Sequence, residues 1–600
     1  MSERKKTVPA VSNTDNSESR DESSENNGAC YLPLNYGQRA LLFLYDMNPS
    51  GYAYNMSYAW HVRSSFDVPL FLSILKKLAA RHETWRSTFV QHKGQPMQKV
   101  HSHMPVFFDE IDVPENSWDE MRSLLVKEVY RPFDLKKEPP IRWRLFRRGG
   151  NDPILFMGLH HMGTDVWSVM TVLNEIRKLY SAAQENQDVQ LPVLELGNED
   201  FVKWQEKMLE GSEGNRLLAF WKDQLAGDLP VLNLHTDRPR PPLPSFRGES
   251  FPFALSRPMM DKLQSVAKSG GSSPFMFCLT AYQVFLHRYT GQDDIIVGVP
   301  TAGRDQEFGG IFHYYVSPVV MRAKIDSGSS FSELLEVNAK NISQVLKHQA
   351  YPFPLLAQKV QHGMDAARPP IFQSSFVWEN SNRFENRKDP IVSLDEAGNE
   401  IWQLDGLKWE RILLRLQLDN FDMFLKMVKV GDDFYGIVEY NPDLYNVATV
   451  ERMAENFKVL LSAIVTNPSG KIGEFPLLSE AEKTRVLVEW NNTSDPYQQQ
   501  CPYEMFEQRA GEKPETTALI FENEEINYGD LNKSVNQLAH HLRELGIGPD
   551  KLVGISLERQ PKMVVSQLGI QKAGGAYVPL DPNYPEERIE YILEEAKVSV

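Results

Sequence analysis

"IRWRLFRRGGNDPILFMGLHHMGTDVWSVMTVLNEIRKLYSAAQ", residues 141–184, is the stretch on which the fold turns. Its first half reads as two strands joined by a Gly-Gly-Asn-Asp turn. The second strand, up to Leu159, is apolar almost throughout, as a central strand covered on both faces must be. Beyond Asp165 the period changes, and Val166, Val169, Met170, Leu173, Ile176 and Tyr180 recur at helical spacing on one side. A buried strand running through a short loop into an amphipathic helix is a building block of an α/β architecture. At that junction stand His160 and His161, with Asp165 four positions after the second histidine.

By residue type alone the junction admits a catalytic base, a metal site or a satisfied polar corner. Zinc fits poorly, because neighbouring side chains on a strand point to opposite faces and no third ligand has suitable spacing. Asp165 is placed to cap the helix that follows it.

The same alternation extends outward. "DVPLFLSILKKLAARHE" carries Leu70, Phe71, Ile74, Leu75, Leu78 and Ala79 at helical spacing, and "TWRSTFV" behind it alternates like a strand. A Pro-rich break at 235–249 separates a second α/β section, with a helix at "SPFMFCLTAYQVFLHRYT", a strand at "DDIIVGVP", a helix near 331–347 and strands around 372–379, 423–430 and 434–440. Six hundred residues exceed one hydrophobic core, so several domains are expected. Residues 1–29 are polar and read as a disordered leader, 476–501 as a linker, and 502–600 as a third α/β unit that stops unfinished.

With 42% hydrophobic and 24% charged residues the composition is that of an ordinary folded protein. A net charge of -16 argues against a nucleic-acid partner. The start lacks the apolar core of a secretory signal and no apolar run is long enough to span a bilayer, so no membrane association is expected. Cys30, Cys278 and Cys501 form neither a disulfide framework nor a metal pair, which suits a cytoplasmic protein.

His160-His161-Met-Gly-Thr-Asp165-Val166 resembles the HHxxxDG signature of the condensation domain of nonribosomal peptide synthetases. Other motifs similar to that family's follow in its order. They are "LPLNYGQRALLFLYDMNP" (32–49), "RHETWRSTF" (81–89), "GVPTAGRDQEFGGIFHYYVSPVVMR" (298–322), "KHQAYPFPLLAQKV" (347–360) and "RPPIFQSSFVWEN" (368–380). From "INYGDLNKSVNQLAHHLRELGIGPD" through "KAGGAYVPLDPNYPEERI" the chain resembles the opening of an adenylation domain.

The resemblance implies an α/β fold class: two chloramphenicol-acetyltransferase-like α+β lobes forming a V-shaped pseudo-dimer, followed by the start of an ANL-type adenylation domain. The lobes are expected at 30–205 and 206–475. It implies amide bond formation between an upstream carrier-bound acyl or peptidyl thioester and the amine of a downstream carrier-bound aminoacyl thioester. An imidazole suits an amine that must lose a proton near neutral pH, and the resemblance gives that role to His161, beside His160 and Asp165. It implies a salt bridge for Asp165, with Arg304 as partner by its place in the matched region, and bracing roles for Arg81, His82 and Arg86. Trp167 is read as packing. Gly163, Ser168 and Ser317 are expected along the substrate channel.

Two positions depart from the pattern. Val166 replaces the glycine of HHxxxDG, and Ser317 stands where the FVNT motif has asparagine. The "DVWS" variant resembles condensation domains with polyketide-derived or otherwise unusual donors, as in hybrid polyketide–peptide pathways. No metal or cofactor of its own is implied for the condensation unit. 4′-Phosphopantetheine is expected on carrier partners, the donor carrier in trans on another polypeptide. ATP and Mg are expected only with the complete adenylation domain, whose phosphate loop, aspartates and lysine are not in this sequence. Two other readings stay open: a non-catalytic module that recruits partners, and an acyltransferase using a free amine or alcohol.

Overall fold

A computed structural model describes residues 5–6, 29–113, 117–148, 153–242, 245–360, 367–380, 392–394, 400–404, 407–412, 414, 421–430, 433–497 and 499–600. Apart from Lys5–Lys6 and Ala29, the expected leader lies outside them. The chain divides into two compact units, Met1–Thr484 and Arg485–Val600, and the division falls inside the 476–501 stretch read as a linker.

The first unit holds two large sheets. Helix α1 (Tyr36–Met47) precedes strand β1 (Asn55–Val62) and helix α2 (Val68–Arg81). Asp67 caps α2 by accepting from the Leu70 N–H, and the helix buries Val68, Phe71, Ile74, Leu75, Leu78 and Ala79 on one face. Strands β2 (Phe108–Val113), β3 (Ile141–Arg148) and β4 (Ile154–His160) follow, then helix α3 (Val166–Gln184). Every residue of β4 is buried, because β1 and β3 flank it and cores lie on both faces. The strand expected at "TWRSTFV" begins only at Ser87, behind a 3-10 turn at Glu83–Arg86.

Helix α4 (Asn198–Glu210) leads to the second sheet. It contains β5 (Glu249–Leu255), β6 (Asp294–Thr301), β7 (Ser317–Lys324), β8 (Ser374–Asn380) and two strands near its end. Between β8 and those last strands the chain makes β9 (Val392–Leu394), β10 (Glu400–Leu404) and β11 (Leu407–Arg411). It then returns with β12 (Met423–Val430) and β13 (Asp433–Tyr440). The second sheet runs β7-β6-β8-β12-β13-β5 and packs on helices including α5 (Pro274–Thr290).

Chain order and sheet membership part company at β9–β11. They fall in the 206–475 range expected for the second lobe, yet they extend the first sheet, whose order is Lys5–Lys6, β2-β3-β4-β1-β11-β10-β9. The driving burial is aromatic: Trp409 of β11 is fully buried, 5.3 Å from the Trp60 ring and 6.3 Å from that of Phe71. Phe312 and Val428 also join the first sheet's core, so the two lobes share buried surface.

In the second unit, strands Thr517–Phe521 and Glu524–Asn527 pair antiparallel, and Leu552–Ile555 pairs parallel with Ala576–Pro579. The "KAGGAY" stretch ends helix Pro561–Ala573, with Gly574 as its left-handed cap at φ 96°.

Trp409→Ala is expected to lower stability by about 3–5 kcal/mol, the usual cost of deleting a buried indole. Val193→Ala, at an 84% exposed position, should cost less than about 0.5 kcal/mol. Urea unfolding of the two variants checks the difference.

Candidate active site

The two histidines diverge where β4 ends. His160 is buried, with Tyr45 and Phe133 edge-on to its ring at 6.1 and 5.9 Å, and its Nδ1 accepts the Met162 N–H at 3.0 Å. His161 is partly exposed, with its backbone N–H held by the Tyr54 carbonyl at 2.9 Å. Its Nδ1 lies 3.0 Å from the Thr164 carbonyl oxygen. A carbonyl only accepts, so Nδ1 carries the proton and Nε2 keeps its lone pair. The Tyr314 ring, from the segment before β7, stands edge-on at 5.8 Å.

Asp165 faces the other way, into the seam between the lobes. It caps α3, with Oδ1 accepting from the Ser168 N–H at 2.9 Å. Oδ2 accepts from the Tyr315 N–H at 3.1 Å and pairs with the Arg304 guanidinium. Both side chains of the pair are at most 2% exposed. Arg304 also donates to the Ile311 and His313 carbonyls and lies over the Tyr315 ring, 4.5 Å from its centroid. Ser168 Oγ sits 2.6 Å from the His313 carbonyl oxygen and accepts the His313 N–H at 3.0 Å. Trp167 Nε1 donates to the Gly309 carbonyl at 2.9 Å.

This arrangement was compared with known proteins. Residues 30–487 match the family model "Condensation domain". The chain belongs to the condensation domain family. Residues 506–600 match the model "AMP-binding enzyme", so the condensation domain is followed by the start of an AMP-binding domain.

Linear gramicidin synthase subunits D and B of Brevibacillus parabrevis are 33% and 34% identical over 577 residues, or 95% of this chain. The chain spans 11% of the length of each. A four-domain nonribosomal peptide synthetase bound to AMP and glycine superposes with a TM-score of 0.83 at 22% identity, over 96% of this chain and 44% of that one. The first condensation domain of the calcium-dependent antibiotic synthetase, with a substrate analogue, gives 0.62 at 18% identity over 76% of this chain and 100% of that one. These likenesses agree with the mixed α/β fold.

Within the condensation domain, Arg81 Nε and His82 Nε2 reach Glu175 on α3 at 2.9 and 2.6 Å, tying α2 to the helix that Asp165 caps. Arg86 donates to the His101 carbonyl at 2.7 Å. Gly163 and Ser168, expected along the channel, are both buried. A Cβ at Gly163 would lie 2.3 Å from Pro140 Cγ, and Ser168 belongs to the seam. Ser317 opens β7, and its carbonyl accepts from Thr301 Oγ1 at 2.8 Å. Val166, counted on the apolar face of α3, is 42% exposed instead, because it is the first residue of that helix.

His313 had no expected role, and the structure buries it at the seam. Its Nδ1 accepts the Tyr314 N–H at 2.8 Å, which leaves Nε2 to donate to Gln98 Oε1 at 2.9 Å. Gln38 reaches the same ring and the Met162 carbonyl. A lone histidine between aromatic residues gives no sequence signal for this network, whereas Ser168, three residues after a capping aspartate, was readable.

Burial pushes His160 and His313 down to about 3 and also lowers His161, for which the Thr164 carbonyl and Asp165 act in opposition. All three imidazoles are therefore neutral near pH 7.

Above their ordinary value of 6.5 the buried imidazoles are neutral in both folded and unfolded chains, and their contribution to stability is complete. Below it the unfolded chain takes up protons that His313 refuses until about pH 3, so stability falls with pH. His313→Gln should flatten that fall by up to about 1.4 kcal/mol per pH unit, measured by urea unfolding between pH 6 and 4. Asp165→Asn and Arg304→Met should each cost about 3–5 kcal/mol, and the double variant less than their sum. Denaturation of the set measures the coupling.

Proposed function

We propose that this condensation domain forms an amide bond between two carrier-bound thioesters, with His161 as the proton acceptor. The observation that carries the reading is the Nδ1–H contact to Thr164, which fixes the tautomer and leaves a basic Nε2 on a neutral, partly exposed ring. The acceptor's amine nitrogen attacks the donor's thioester carbon. His161 Nε2 takes the proton that nitrogen sheds. The carbon–sulfur bond breaks, and the proton passes to the departing thiolate. Holding both reactants at bonding distance supplies a further part of the rate. His160 packs behind the base, and Asp165 with Arg304 positions the loop that bears it.

The reactants arrive on phosphopantetheine arms of carrier proteins, the donor in trans and the acceptor from a downstream carrier domain. Ser317 and the partly exposed face of His161 contribute to the passage between them. A cytoplasmic setting suits such carriers. Among the described residues no helix is long and apolar enough to cross a membrane. ATP and Mg belong to the complete AMP-binding domain.

Loading an upstream carrier with an acyl group and a downstream carrier with an aminoacyl group should yield the joined product on the downstream carrier, read by mass spectrometry. His161→Ala should slow its formation about 10²–10⁴-fold, the usual worth of a positioned base. Equal rates for the two proteins contradict the assignment. Equal yield with a free amine in place of the loaded carrier favours a simple acyltransferase.

A further inference from the structure

We infer that Tyr314 is a catalytic residue whose phenol O–H donates a hydrogen bond to the thioester carbonyl oxygen as the amine adds to the carbonyl carbon. The inference deepens the amide-forming reading above and rests on it.

The argument begins where the interior opens. Tyr54, His161 and Tyr314 are each partly exposed, whereas Asn55, His160, Met162, His313 and Tyr315, which adjoin them in the chain, are buried. The three are also neighbours in space. The Tyr54 carbonyl holds the His161 N–H, and the Tyr314 ring stands edge-on to the imidazole at 5.8 Å. The Tyr54 phenol is close enough to raise the pKa of the Tyr314 phenol. A reactant that reaches His161 Nε2 therefore passes along Tyr314.

This tyrosine is held in place with its donor unused. Its N–H donates to His313 Nδ1 and its carbonyl accepts from Asn35 Nδ2, both at 2.8 Å. Gly37 leaves room for the ring, since a Cβ there would lie 2.8 Å from Tyr314 Cε1. Among the described residues the Tyr314 hydroxyl has no hydrogen-bond partner, and unlike that of Tyr315 it is not sealed in the interior. Burial, then Tyr54 and Asp165, push the phenol above its ordinary range, so it keeps its proton. The other titratable groups around it are the neutral His161 and His313, and Asp165 is paired with Arg304.

The reaction needs such a donor. His161 Nδ1–H is committed to the Thr164 carbonyl, so the imidazole can take a proton but offers the carbonyl oxygen nothing. As the amine nitrogen bonds to the carbon, the π pair of the carbonyl moves onto oxygen. That oxygen and the attacking nitrogen share one carbon, so its donor must stand beside the base, as Tyr314 does. The hydrogen bond forms without proton transfer. The pair returns as the carbon–sulfur bond breaks, and the thiolate takes the proton held by His161.

The test uses the full chain with both carriers loaded. Tyr314→Phe keeps the ring and its packing. It should lower kcat about 10²–10³-fold, the usual cost of one oxyanion donor, and leave KM for the donor carrier unchanged. The second variant, Tyr314→3,5-difluorotyrosine, keeps the hydroxyl on a phenol that ionises at lower pH. Its rate relative to wild type should fall between about pH 7 and 9 as the O–H is lost. Urea unfolding of each variant identifies any change in folding, and where Tyr314→Phe is destabilised the fluorinated protein decides. An unchanged kcat for Tyr314→Phe overturns the inference. So does a loss confined to KM, or a relative rate of the fluorinated protein that stays flat with pH. Absence of product from wild type, with both carriers shown to be loaded, would instead defeat the amide-forming reading itself.

Discussion

The Asp165–Arg304 pair is the constraint on which the site depends. Two ions are withdrawn from water at the seam of the lobes, a step that is costly unless every lone pair and N–H bond is answered. The carboxylate meets that condition with two backbone N–H groups and a guanidinium, and Arg304 donates to carbonyls of the segment 311–313, leaving only its buried Nε–H without a hydrogen-bond acceptor among the described residues. Because Asp165 also caps α3, one side chain fixes the start of a helix in one lobe against the loop that leaves β6 in the other. The loop bearing His161 is suspended between those fixed points.

That suspension explains the division of labour between adjacent histidines. The end of β4 sends one ring inward, where burial beside Tyr45 and Phe133 keeps it neutral. The next ring is partly exposed, with its orientation set by a single carbonyl three residues further on in the same turn. Burial lowers its proton affinity while Asp165 and the Thr164 carbonyl raise it. The ring is therefore neutral near pH 7, with those two contacts acting against the effect of burial. Glu175 performs a parallel structural task on α3, gathering Arg81 and His82 so that the helix cannot rotate away from its cap.

Much of this was legible in residue order. The switch from an apolar run to helical period located β4, α3 and the junction, and motif order located Arg304. Sheet membership was not legible, because β11 joins β1 through the burial of Trp409 against residues some 350 positions earlier, a contact that no local pattern encodes. The exposure of Val166 was misjudged for a related reason: helical period assigns a face, but the first turn of a helix projects beyond the surface it packs on. The His313–Gln98–Gln38 network was invisible because polar residues of three distant segments become partners only when the lobes meet. Gly163 was readable as glycine but not as the residue whose Cβ Pro140 and Thr84 exclude.

The protonation state of one ring tests all of this most directly. Nitrogen-15 shifts of imidazole-labelled protein near pH 7, with the His161 signals assigned through His161→Gln, report which nitrogen bears hydrogen. A neutral ring protonated at Nδ1, with an unprotonated Nε2, is the expected result. An imidazolium, or a neutral ring protonated at Nε2, would contradict it.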